Sequence, residues 1–164
     1  MGIHTRSRHY LRSSDAKKIL KELGKAFDPS DIGDVFKGKR FELVTTDVCD
    51  IILVEDVPMI FMPDGEPFLT VRGALEVKPE VRIVVVDAGA TRFVVNGADV
   101  MRPGIVQVDP DIQEGDLVIV IEEAHRKALA IGRALIPGDE MIGDSGKAIK
   151  TLHYVGDTIW EVTR

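Results

Sequence analysis

Cysteine and tryptophan each occur once and tyrosine twice in 164 residues, and aromatic residues make up only 5% of the chain. A single Cys49 cannot close an intrachain disulfide, which excludes a disulfide-stapled secreted scaffold. No apolar run approaches the roughly 20 residues of a membrane-spanning helix, and the basic N-terminal stretch leads into no apolar signal core. Metal-ligand spacing is missing as well. His4, His9, His125 and His153 are scattered apart from the first pair, with no Cys-x-x-Cys and no His-Glu-x-x-His. The expectation is a cytoplasmic chain with no cofactor, no metal and no membrane contact.

What is present is the balance of a globular protein, 45% hydrophobic and 29% charged, long enough for one domain or two small ones. The net charge of -6 is unevenly spread. Residues 1–25 carry seven basic and two acidic side chains, residues 26–75 four and ten, residues 76–164 ten and fifteen. The basic leader, which includes Lys17, Lys18 and Lys21, can set one positive surface against a polyanion, or can simply be a helix whose lysines face water.

Periodicity predicts a helix from Ser13–Asp15, where the side chains offer N-cap oxygens, through Ala16, Ile19, Leu20 and Leu23 at i, i+3, i+4 and i+7. Gly24 is expected to close it in a left-handed conformation. A short second helix is expected over residues 30–36, behind Asp28–Pro29, and strands over 41–46, 51–55 and 59–62. The segment Val77–Lys78–Pro79–Glu80 is the expected boundary. Beyond it come a strand at 82–86 and a short helix capped by Asp87, with Ala90, Phe93 and Val94 on one face and Gly97 as its stop. Strands at 105–108, 117–121 and 128–136 and an alternating stretch at 148–160 follow, mostly antiparallel and compatible with a small barrel.

No catalytic constellation emerges. Gly143–Asp144–Ser145–Gly146 matches the nucleophile segment of chymotrypsin-like proteases without the residues that should follow it or room for the partner barrel. Gly146–Lys147 ends like a phosphate-binding loop, but Ala148 replaces the metal-binding hydroxyl and Met141 the first glycine. Asp87–Ala88–Gly89–Ala90 lacks the dinucleotide glycine spacing, and the Glu122–Glu123 and Asp139–Glu140 pairs read as solvated turns. The chain is expected not to be an enzyme.

The most defined feature is Gly97–Ala98–Asp99–Val100–Met101–Arg102–Pro103–Gly104–Ile105. Two glycines and a proline in nine residues make a turn whose main chain a phosphate or ribose can approach, with Arg102 adding a charge-assisted contact. A turn that merely joins helix to strand would need similar glycines, and the residues alone leave the two readings level.

Val85–Val86–Asp87, the short helix, Gly97–Ile105, Gly115–Asp116–Leu117–Val118 and Ala130–Ile131–Gly132 together resemble a PUA domain, an RNA-binding pseudo-barrel. Gly146–Lys147–Ala148–Ile149 and the run from Leu152 to Trp160 resemble the C-terminus of the malignant T-cell-amplified-sequence family, in which a "pre-PUA" lobe precedes the PUA domain. Arg12–Ser13–Ser14–Asp15 and Pro67–Phe68–Leu69–Thr70–Val71–Arg72 are compatible with that lobe, and the compact chain looks like an archaeal member.

The resemblance implies an α+β protein: an α/β pre-PUA lobe over residues 1–76, then a mostly β PUA pseudo-barrel over 77–164. It implies a non-enzymatic RNA-binding protein that takes tRNA or ribosomal RNA at the small ribosomal subunit, in initiation or in ribosome and tRNA recycling, with an initiation-factor-type protein as partner. The alternatives are an accessory subunit of an RNA-modifying enzyme and a protein adaptor for another translation factor. The implied contacts are Arg92, Gly97, Ala98, Met101, Arg102, Pro103, Gly104, Lys147 and Lys150, with Lys17, Lys18 and Lys21 adding charge. Asp99 departs from an ideal anion site. Arg102 is expected to sit in a solvated turn where reversing its charge leaves the fold intact.

Overall fold

A computed structural model describes residues 2–163. The chain forms two compact units. One runs to Pro79 and takes up the chain again from Asp157; the other is Glu80–Gly156. Residues 157–163 group with the N-terminal unit in this division, whereas the expected 77–164 span holds them with the second. Trp160 is the reason: the Arg72 guanidinium lies 3.7 Å from its ring centroid, and Arg72 Nε donates to its carbonyl at 3.1 Å. The end residues of the two expected spans, Met1 and Arg164, lie outside the described residues.

In the first unit, five strands form an antiparallel sheet in sequence order: β1 (Thr5–Tyr10), β2 (Phe41–Thr46), β3 (Asp50–Val54), β4 (Val57–Met62) and β5 (Phe68–Leu69). Helices α1 (Ser13–Leu23), α2 (Pro29–Phe36) and α3 (Val71–Val77) complete it. Three elements, β1, β5 and α3, are additions to the expected set. β1 is exposed along all six residues, so it carries no apolar alternation to read, and its main chain is ordered by pairing with β2. For α3, the Thr70 hydroxyl accepts from Gly73 N and donates to the Pro58 carbonyl, and a Cβ at Gly73 would fall 2.1 Å from the Met59 carbonyl oxygen. Only glycine allows α3 to ride this close to β4. Two expected details are corrected. The N-cap of α1 is Arg12, with no side-chain bond, and Gly24 is right-handed, its N–H bonding the Leu20 carbonyl. α2 begins one residue before the expected start, at Pro29, with Asp28 as its N-cap accepting from Ser30 N at 2.9 Å.

The second unit holds β6 (Ile83–Val86), α4 (Ala88–Val94), β7 (Val100–Met101), β8 (Ile105–Val108), β9 (Leu117–Glu122), β10 (Ala128–Ala134) and β11 (Lys147–Tyr154). Its sheet runs in the order β7-β11-β10-β9-β6-β8. The two edge strands, β7 and β8, are consecutive in the chain and joined by the single turn Arg102–Gly104, so the sheet curls into a nearly closed barrel. All its pairings are antiparallel except β6 with β9. Val84, Val86, Val118, Val120, Leu129 and Ile149 from the staves pack with Val94 of α4 and Met141 into one core. The fold is α+β, as expected. Among the described residues, no helix is long and apolar enough to cross a membrane, and no group of three or more His, Cys, Asp and Glu could hold a metal ion.

Candidate nucleic-acid interface

The face around α4 and β7 is built by a hinge at Asp87. Its carboxylate caps α4 by accepting from Ala90 N at 2.8 Å, while its own N–H bonds the Gly104 carbonyl at 2.9 Å. A Cβ on Gly104 would lie 2.5 Å from the Ala90 Cβ, so this glycine lets the barrel seam press against the helix. At Gly97, φ is +90° and an added Cβ would lie 2.8 Å from Tyr154 Cε1. The Tyr154 ring fills the side of Gly97 on which a side chain would project.

Two of the expected cations have internal partners. Lys147 Nζ lies 2.9 Å from Asp99 Oδ2, and Asp99 Oδ1 accepts from Thr151 N at 2.9 Å. Burial pushes the Asp99 carboxyl up, but these hydrogen bonds and the charges of Lys147 and Lys150 outweigh it and hold the group below its ordinary value. Asp99, just before β7, is thus a bracket to β11. Arg102 does not project into solvent. Its guanidinium donates to the carbonyls of Glu140 (2.9 Å), Ser145 (3.1 Å) and Ile142 (3.2 Å), and its main-chain N–H to Gly146 at 2.8 Å. A Cβ at Gly143 would meet its Nη2 at 2.2 Å, so Gly143 makes the approach possible. The expectation that Arg102 sits in a solvated turn is corrected: the arginine pins residues 140–146 against the seam.

Beside the seam lies an open cavity of about 650 Å³. Of the expected residues it brings together Ala98, Met101, Pro103, Gly104 and Lys147. Asp87, Gly89 and Phe93 line it too, although sequence reasoning did not single them out as contacts. Phe93 was expected on the buried face of α4 with Ala90 and Val94. It is 57% exposed, because neighbours in a helix point about 100° apart and Val94 takes the core position. The Arg92 guanidinium lies 5.2 Å from the Phe93 ring centroid. Met101, also in the cavity lining, is 47% exposed. Lys150 is exposed on β11, directly opposite Arg133 on β10, and outside the cavity lining. Lys17, Lys18 and Lys21 are exposed on α1 and belong to the other unit.

The PUA domain family matches residues 82–155. An uncharacterized protein of Methanocaldococcus jannaschii is 47% identical over 156 residues, covering 94% of this chain and 96% of that one. Translation machinery-associated protein 20 of Saccharomyces cerevisiae is 27% identical over 176 residues, covering 96% and 92%. Among solved structures, a hypothetical protein of the hyperthermophilic archaeon Pyrococcus horikoshii superposes with a TM-score of 0.85 at 37% identity, covering 96% of this chain and all 100% of the other. With a barrel closed at Arg102–Gly104 and archaeal and yeast relatives that match along nearly their whole length, the chain belongs to the PUA-domain family that takes in the archaeal PUA-domain proteins, translation machinery-associated protein 20 and the malignant T-cell-amplified-sequence proteins.

Proposed function

We propose that this chain is a non-enzymatic RNA-binding protein of translation, and that the α4–β7 face of its second unit takes an unpaired segment of tRNA or ribosomal RNA. The observation that carries the site is the exposed Phe93 ring, with Arg92 over it, at the edge of a cavity floored by Ala98, Pro103 and Gly104. An aromatic face with a neighbouring guanidinium is a stacking platform for a base, and the open cavity beside it leaves room for a ribose or phosphate. Because Lys147 is paired and Arg102 is committed to carbonyls, stacking matters more here than charge. Lys150 and Arg133 supply an edge of positive charge. The names of the relatives support work on the translation machinery, and the small ribosomal subunit, with an initiation-factor-type protein alongside, is the setting this reading favours.

The test is fluorescence anisotropy with labelled tRNA and with ribosomal RNA fragments across a salt series. Phe93→Ala should weaken binding by about 1–3 kcal/mol with an unchanged salt slope. Lys150→Glu should flatten the slope by about 0.7 for each phosphate that is no longer neutralised. Affinity indifferent to both changes overturns the site; no salt-dependent RNA affinity at all overturns the function.

A further inference from the structure

A second depression, of about 360 Å³, lies between α1 and α2 of the first unit. One wall carries Lys17, Lys21 and Lys25, each four residues after the last. Four residues of helix rise about 6 Å, so Lys17 and Lys21 stand one above the other on a single face. The floor is apolar, formed by Leu20 and the buried Ile32. The other wall is bare at Gly33, where an added Cβ would meet nothing within 4 Å. Nearby carboxylates leave the two upper lysines alone: Glu22 holds Lys25 at 2.8 Å, and Asp28 accepts from Ser30 at the α2 cap.

We propose that this groove docks an acidic amphipathic helix of a protein partner, its apolar ridge on Leu20 and Ile32 and two carboxylates at i and i+4 against Lys17 and Lys21. Charge complementarity and the floor together select this occupant. Carboxylates one helical turn apart repeat at the spacing of the lysines, and a third helix laid along two others buries its ridge in the groove they leave. An RNA backbone would engage the lysines but gain nothing from leucine and isoleucine. This inference is independent of the RNA site on the second unit.

The experiment is ¹⁵N-resolved NMR on the full chain, titrated with a stapled helical peptide bearing a leucine ridge flanked by glutamates at i and i+4, with a sequence-scrambled control and, separately, with oligouridylate. The peptide should shift amides of residues 17–33 and the scrambled control should not. Lys17→Glu with Lys21→Glu should weaken the peptide by about tenfold or more. Gly33→Trp, which meets open space, should weaken it comparably while leaving the other amides in place. Peptide that leaves residues 17–33 unmoved overturns the proposal. So does oligouridylate that shifts these amides in both wild type and Gly33→Trp, since that outcome makes the lysine row an RNA surface. Failure of the RNA site would be read instead at Phe93 and Met101.

Discussion

Lys147 Nζ sits 2.9 Å from Asp99 Oδ2, and Asp99 Oδ1 takes the Thr151 N–H, so one carboxylate fastens β7 to two points of β11. The native state favours the ionised carboxyl, whose pKa it holds below the ordinary 3.8. The associated stability is present above that value and is lost as pH falls through the lower folded one. Asp99→Asn keeps an acceptor for Thr151 but loses the ion pair. It should cost about 1 kcal/mol or less at neutral pH, the pair being half exposed, and flatten the acid end of the profile. Thermal melts from about pH 7 to about pH 2 check this.

Arg102→Ala removes three donors from the carbonyls of residues 140, 142 and 145. A loss of roughly 1–2 kcal/mol is expected, with faster amide exchange confined to residues 138–146. Arg102→Lys should recover little, because an ammonium cannot reproduce the planar fork. Gly143→Ala should have a similar effect from the opposite side, its Cβ displacing the guanidinium. Protection unchanged in that segment would count against the latch.

Gly97 and Gly115 both have φ of +90°, but an added Cβ meets the Tyr154 ring only at Gly97; at Gly115 nothing lies within 4 Å. Gly115→Ala should cost about 1–2 kcal/mol from the left-handed backbone alone. Gly97→Ala should cost about 1–3 kcal/mol more, through overpacking. Chemical denaturation of the pair isolates the contribution of the ring.

Cys49 should resist alkylation. Burial pushes its thiol up to about 11, more than the backbone hydrogen bond from Met62 offsets. At pH 8 about one thiol in a thousand is then ionised, against roughly one in ten at the ordinary 9.0. Because the folded pKa exceeds the unfolded one, this thiol also withdraws stability as pH rises from about 9 towards 11. Maleimide labelling in native and denaturing buffer measures the difference.

The sequence by itself determined the longer apolar strands, the approximate starts of α2 and α4 and the barrel class, because β-branched runs, Asp28–Pro29, Asp87 and the turn glycines act within a few residues of themselves. It also placed the Gly97–Gly104 loop at the centre of interest. What it left level was whether those glycines face a ligand or the protein. Only tertiary structure supplies a packing reason for them: an added Cβ would meet Tyr154 at Gly97 and Ala90 at Gly104, as it would meet Arg102 at the more distant Gly143, all between residues 14 to 57 apart in the chain. Local pattern likewise placed Phe93 inside and Arg102 outside. The fold reversed both, since Val94 fills the core position on a seven-residue helix and the acceptors that hold Arg102 are carbonyls contributed by a distant loop. A side chain's partners across the barrel depend on which strands become its edges. That is settled by the sheet order β7-β11-β10-β9-β6-β8, which no spacing along the chain encodes.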